Sequence, residues 1–431
     1  MAAYSDRRRD RLAAVMLLAV AARGVPSLYA HGVGRAPVAA RVPLLRTIRL
    51  PSYPLGLVVD APTRRLFVLA QSAPLDSRTP IHHADALDVL DARTGARLRI
   101  LRLDPGLYAG DLTVDARHGH VLFLSTARTT AGLPTGPGAV HVLDGRTGLP
   151  VRTVPIGAGP RVIAVAPDLG RIFVLCSGHT TGGDAALYVL DARTGTQVRA
   201  VPIAHAVVDM AVDGPARRVF VADDAGVQVL DATSGAVRKT VALPDANAGP
   251  TGLVVDERAG RVAVGYQDST NGTTGLAILD ATTGATVGAF APAGSDLLLA
   301  DTRAGRLLGV SIPLQRDAAY PITADVFDMR RGRVVGSSPD LATVASGGLQ
   351  TTAGAVDERL GRAFVVTSGT KGDGSFDQDL VSVLDTRGGR LLGRALLAVG
   401  PPAIAVDEGA ARVFVINGSA QTVSVLDAAR P

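Results

Sequence analysis

A short segment ending in Val-Leu-Asp, or a close variant, recurs eight times and governs how this chain can fold. Its aspartates are Asp91, Asp144, Asp191, Asp231, Asp280, Asp328, Asp385 and Asp427. Seven of them are followed four residues later by glycine, at Gly95, Gly148, Gly195, Gly235, Gly284, Gly332 and Gly389. An aspartate carboxylate accepts hydrogen bonds from backbone N–H groups just ahead of it, and glycine enters the left-handed region at little steric cost. The pair therefore specifies a hairpin of nearly constant length, which holds the register of the strands on either side. These aspartates read as structural.

A second turn lies upstream in each unit, as in Asp60-Ala61-Pro62-Thr63-Arg64-Arg65 and Asp256-Glu257-Arg258-Ala259-Gly260-Arg261. Related copies begin at Asp115, Asp213, Asp301, Asp357 and Asp407. The third unit has Ala166 in that place, and Asp168 is expected to take over the capping. Successive turns start 43 to 56 residues apart. Between them the chain reads as four short strands rich in β-branched and apolar residues. In the third unit these are Val162 to Val165, Arg171 to Leu175, Ala186 to Leu190 and Val198 to Ile203. Units of this length suit the blades of a β-propeller and are too long for hexapeptide or leucine-rich repeats.

Closure gives an independent test. The last unit supplies three strands, around Ala403 to Val406, Arg412 to Ile416 and Thr422 to Leu426, and then the chain ends. Leu45 to Leu50 closely resembles Val151 to Ile156, a fourth strand, so the N-terminal segment is expected to complete the final blade. Such a ring leaves little unpaired sheet edge. The expected fold is all-β: a single closed β-propeller of eight four-stranded blades. Seven blades is the alternative, because the sixth unit carries a long loop from Ser311 to Thr323.

Ahead of the ring, Arg7, Arg8, Arg9 and Arg11 precede an apolar run from Leu12 to Ala22. That run is too short to span a bilayer, which needs roughly 20 apolar residues, and its basic start matches an export signal. The division expected is an export signal over 1–30, a linker over 31–43 and the propeller over 44–431. The protein is expected to be secreted or otherwise extracytoplasmic, associated with the cell envelope, with no transmembrane segment once the signal is removed. Cys176 is the single cysteine, so no intrachain disulfide can form, and its apolar setting reads as a buried thiol. Charge divides unevenly: residues 1–50 carry nine Arg and two Asp, leaving a net −2 for residues 51–431. The high pI thus belongs to the leader and linker, and nucleic acid is not an expected partner.

The segment Phe414-Val415-Ile416-Asn417, followed by Thr422-Val423-Ser424-Val425-Leu426-Asp427, resembles the repeat of YVTN-type β-propellers. Val165-Ala166-Pro167-Asp168-Leu169-Gly170 is similar to that family's serine-proline-aspartate-glycine stretch. The resemblance covers roughly residues 45–427 and implies a propeller fold, with exported bacterial binding or surface proteins among its members. Asn417 alone supplies the motif asparagine.

Recognition belongs on the face that receives the longer loops and the crossings between blades. Tyr53 and Tyr108 stand seven residues ahead of Asp60 and Asp115; Arg161, Thr251, Asp296 and Thr352 stand five ahead of their own turn positions. His205 and Gln350 lie close by. These eight residues are the expected ligand-binding set at the channel mouth, with Arg161 fixing charge on a small polar or anionic ligand. A protein, a peptide or an envelope component are the other expected partners. Two loops carry metal-ligating residue types: His82-His83, and Asp373 to Asp379, whose oxygen donors alternate but lack a full calcium-loop pattern. No metal site, cofactor or catalytic residue is assigned. The leading expectation is noncatalytic binding outside the cytoplasm. The alternative is a metal-supported lactonase-like hydrolase or lyase using Asp296.

Overall fold

The computed structural model describes residues 40–71, 85–104, 107–127, 137–177, 185–244, 248–268, 270, 273–291, 293, 296–312, 320–344, 350–369, 379–398 and 403–430. They form eight sheets of four antiparallel strands, one of which carries a fifth, parallel strand, and each set of four is built from consecutive strands except the last. Within a blade the strands are A to D from the axis outward. In blade 3 they are Pro160–Ala166, Arg171–Cys176, Ala185–Asp191 and Gln197–Ile203. Each A strand touches the A strand of the next blade, and Ile404–Asp407 of blade 8 touches Tyr53–Asp60 of blade 1, so the ring closes. Blade 6 is complete. Its C strand, Tyr320–Asp328, starts inside the stretch expected as loop, with Thr323 paired to Ser311, and this removes the seven-blade alternative.

Leu44–Arg49 runs antiparallel to Thr422–Asp427, with Thr47 opposite Ser424 and Ile48 opposite Val423, and so provides the D strand of blade 8. The chain also does something the hydrophobic pattern did not announce. Ala40–Arg41 pairs in parallel with Leu391–Leu397, the D strand of blade 7. The Val42 N–H donates to the Arg394 carbonyl at 3.0 Å, and the Val42 side chain is buried with Leu397, Leu426 and Ala428. The end of the segment read as linker therefore crosses the seam between blades 7 and 8. The export signal read over 1–30 lies outside the described residues.

The turns follow from the residues that mark them. Asp191 accepts the Arg193 and Thr194 N–H groups on Oδ1 at 3.1 and 2.8 Å, and the Thr194 hydroxyl at 2.9 Å. The same arrangement recurs at Asp91, Asp144, Asp231 and Asp280. Bonds from the Thr194 N–H and hydroxyl hold the Asp191 carboxyl below the usual range. Its other oxygen pairs with Arg171, the first residue of strand B, at 3.0 Å. At the upstream turns, buried Asp213, Asp256, Asp301, Asp357 and Asp407 each accept the N–H three residues on. Blade 3 departs from expectation: Asp168 caps nothing there. Pro167–Leu169 form a single 3-10 turn without a side-chain cap, closed by the Gly170 N–H on the Pro167 carbonyl.

Blades are covered on both faces, so strands B and C cannot alternate inside and outside as a half-solvated sheet would. Phe67, Phe173, Phe220, Phe364 and Phe414 fill the same place in their B strands and are fully buried. Cys176 is buried as well, and desolvation pushes its thiol up to about 12, out of the reactive range. Asn417, the one motif asparagine, is buried. It donates to the Thr422 and Ser424 hydroxyls at 2.9 and 3.0 Å, tying strands B and C across the short turn of blade 8.

One register on the outer strands separates two ways of stacking. The D-strand residues opposite the same C-strand position are Arg46, Arg99, Arg152, Arg199 and Lys239 in blades 8, 1, 2, 3 and 4. In blades 5, 6 and 7 they are Gly288, Gly336 and Gly393. Where a cation stands, its stem or head reaches the next blade's C–D turn. Arg46 donates to the Arg93 carbonyl, Arg99 to Thr147 at 2.9 Å and Lys239 to Thr283 at 3.2 Å. At Gly288 and Gly336 the turn itself comes in: a Cβ on Gly288 would lie 2.9 Å from the Gly332 oxygen. Gly393 lies opposite Ala40 of the added strand.

Asp88 is a local conflict in this packing. It sits on strand Ala86–Asp91 opposite Val68, on the face turned toward blade 8, fully buried, and neither carboxylate oxygen has a hydrogen-bond partner among the described residues. Burial raises its pKa, with Arg97 and Arg102 opposing more weakly. A raised folded-state value favours folding below the ordinary carboxylate value of 3.8, and the benefit is lost as pH rises through the folded value. Asp88→Asn is therefore expected to stabilise the protein at pH 7 by about 1–3 kcal/mol. Its urea midpoint and that of the native protein should converge as pH is lowered to the ordinary carboxylate value. A difference that stays constant with pH would show that Asp88 is not the titrating group.

Candidate functional site

The start of each A strand lies at the rim of the central channel, on the face of the B–C connections. The chain is irregular there. In blades 1, 3, 4 and 5 the pairing of strands A and B skips one residue, namely Leu55, Arg161, Val208 and Thr251, each five ahead of the turn position. A bulge of this kind re-aims the side chain it carries. Arg161 and Thr251 are accordingly exposed at the rim. In blade 2 the bulge spans two residues, Gly110 and Asp111.

Two carboxylates that the register count passed over occupy this rim. Asp111 and Asp209 each stand four residues ahead of a turn aspartate. Asp111 accepts its own strand's Leu112 N–H on Oδ1 at 2.9 Å and the Ile163 N–H of blade 3 on Oδ2 at 3.1 Å. Asp209 repeats this with Met210 at 2.8 Å and Leu253 of blade 5 at 2.8 Å. An innermost strand has no partner on its channel side, so its N–H groups need acceptors. Each carboxylate thus staples one A strand to the next. Arg161 lies on the blade between them. Their shared offset was the available signal, but only the stacking of blades revealed what it means.

Electrostatics tie the three together. Burial raises the pKa of Asp209, its two backbone bonds and Arg161 pulling the other way. Burial also raises Asp111, and the charge of Asp209 adds to that rise. Asp111 is nevertheless wetted by the channel. A rim carboxylate is ringed by protein yet reached by water, which opposes the rise. Among the described A-strand residues ahead of the turn positions, Asp111, Arg161 and Asp209 are the only charged side chains. They form an acid–base–acid arc over blades 2, 3 and 4.

The other expected residues are placed as follows. Tyr53 opens the A strand of blade 1 and is half-buried, and Thr352 is half-buried in the A strand of blade 7. His205, exposed on the crossing into blade 4, pairs through Nδ1 with exposed Asp224 at 3.0 Å. Asp296 accepts the Ile312 N–H at 2.7 Å and so secures the start of blade 6. The backbones of Tyr108 and Gln350 pair with Thr126 and Gly369, while their side chains, His82, His83 and residues 373–378 lie outside the described residues. Among the described residues no group of three or more His, Cys, Asp or Glu could hold a metal ion, and no helix is long and apolar enough to cross a membrane.

A closed ring of eight radial antiparallel sheets defines a β-propeller. Solved structures bear this out at low identity. BamB from Moraxella catarrhalis aligns with a TM-score of 0.53 and 16% identity over 90% of this chain and 99% of its own. A chain of the mitotic checkpoint complex gives 0.51 and 12%, over 95% and 99%. Hydrazine synthase of Kuenenia stuttgartiensis gives 0.53 and 14%, over 89% and 97%. No protein-family model and no curated protein sequence matches the chain.

Proposed function

We propose that this protein is a noncatalytic binding propeller of the YVTN type that works outside the cytoplasm and takes a small polar ligand or a peptide end at the rim of blades 2 to 4. The observation that carries this reading is the Asp111–Arg161–Asp209 arc, the charged side chains of the described A strands ahead of their turns, with Asp296 standing apart at the start of blade 6. Each carboxylate oxygen uses one lone pair on a backbone N–H and keeps another for a ligand donor. Arg161 offers a planar fork suited to a carboxylate. A zwitterion such as a dipeptide complements both. The basic leader supports export. The fold itself is neutral on function: the similar structures include, by their names, a checkpoint assembly and a synthase.

Calorimetric titration of the full chain with a dipeptide panel tests this. Saturable binding is expected for at least one dipeptide, weakened tenfold or more by Arg161→Gln, since a charged bidentate contact contributes about 1.5–3 kcal/mol. Binding indifferent to that change would move the site elsewhere. Turnover of a lactone, abolished by Asp296→Asn, would favour a hydrolase instead.

A further inference from the structure

The outer wall of the ring carries a second feature, independent of the channel rim. The D strands of blades 8, 1, 2, 3 and 4 hold nine Lys or Arg and no Asp or Glu. Those of blades 5, 6 and 7 hold two Arg and Asp340. Five of the nine, Arg46, Arg99, Arg152, Arg199 and Lys239, share one register on five contiguous blades. None of these five forms an ion pair among the described residues. Their contacts are to neutral groups of the next blade's turn, as in Arg99 on the Thr147 carbonyl and the Arg152 stem against Gly195. Such contacts orient a cation without neutralising it. The net charge of the ring conceals this arc, because so many of its carboxylates are engaged in the turns.

We infer that this arc binds a flexible acidic polysaccharide wound along the outer wall. Three observations select that partner. First, the cations stand on the outermost strands of five contiguous blades, so they are spread over more than half the circumference of a closed ring. A planar bilayer can touch only the part tangent to it, whereas a flexible chain can follow the curve. Second, the five D strands contain no aromatic residue and no histidine, which removes the stacking platform that single-stranded nucleic acids use. Third, a half-exposed aliphatic side chain precedes four of the cations: Leu45, Leu98, Val151 and Val198. These offer apolar contact to the carbon face of a sugar ring beside each guanidinium–carboxylate pair.

Binding of the full chain to polygalacturonate tests the inference, with chains of about 30 units and with the trimer, at about 50 and 200 mM salt. The long chain is expected to bind, to weaken steeply with salt, and to exceed the trimer by at least tenfold. Combining Arg46→Gln, Arg99→Gln, Arg152→Gln, Arg199→Gln and Lys239→Gln should lower affinity by at least tenfold and flatten the salt dependence. Glutamine keeps an N–H donor for the turn carbonyls, and an unchanged melting profile checks the fold. Should the combined variant unfold, Arg99→Gln and Arg152→Gln singly should each weaken binding two- to threefold, while Arg333→Gln on blade 6 should not. Undiminished binding by the five-site or single variants would overturn the inference, assigning affinity to the Arg-rich N-terminal residues. Tighter, equally site-dependent binding of phosphatidylglycerol vesicles or of oligothymidine would overturn it in favour of those partners. The dipeptide site at the channel rim can fail without affecting any of these results.

Discussion

Ile48→Asp is expected to unfasten the ring. Ile48 is buried on the closing strand, within a cluster containing Leu50, Leu90, Ile416 and Val423, and lies 2.8 Å from where a Cβ on Gly95 of blade 1 would stand. Aspartate there places a charge between the first and last blades, inside an apolar cluster. Burying such a charge is among the few single changes that destabilise by about 3 kcal/mol or more. The urea midpoint should fall accordingly, and gel filtration should show an expanded or aggregated species as blade 8 exposes its edge. Thr47→Asp is the matched control: Thr47 points outward, and the change should stay within about 0.5 kcal/mol. Equal midpoints for the two variants would mean that Leu44–Arg49 does not close the ring.

The second large effect is expected at Gly336 of blade 6. A Cβ there would overlap the carbonyl oxygen of Gly388, which belongs to the C–D turn of blade 7. The obstacle is backbone, so no side chain can rotate away, and Gly336→Ala must push one blade from the next. A loss of about 2–3 kcal/mol is expected, in the range of overpacked cores. Gly288→Ala, whose Cβ would stand 2.9 Å from the Gly332 oxygen, should lose less. Arg152→Ala, at the same register on the other side of the ring, removes a stem lying on Gly195 and should cost under about 1 kcal/mol. Thermal melts of the three variants give the order directly. A Gly336→Ala protein as stable as the native one would show that blades 6 and 7 are packed less closely than described.

Both predictions concern contacts between blades, which is also where sequence reasoning lost its grip. The turn at Asp191 could be foreseen because every group in it lies within four residues. The D-strand role of Leu45 to Leu50 could be foreseen because its pattern copies Val151 to Ile156. The rim was half legible. Counting five back from each turn found Arg161 and Thr251, which the bulges turn outward, but passed over Asp111 and Asp209 one position later. Those carboxylates matter through Ile163 and Leu253, each more than 40 residues away. Asp296 was singled out by its register and His205 by its nearness to that set, and their partners are Ile312 and Asp224, which no spacing rule names.

By itself the sequence determined the strands, the turns and the strand that closes the ring, because these depend on local hydrogen bonding and on a pattern repeated eight times; the pairing of Thr323 with Ser311 decided eight blades over seven. Tertiary structure alone decided which side chains meet across the gaps between blades. It put Arg161 between two carboxylates, buried Asp88 at the seam and laid Ala40–Arg41 on blade 7. It also brought the next turn against Gly288 and Gly336, where a side chain would collide with it. Contacts between units some fifty residues apart are set by the curvature and stacking of the whole ring, and no single repeat contains that information.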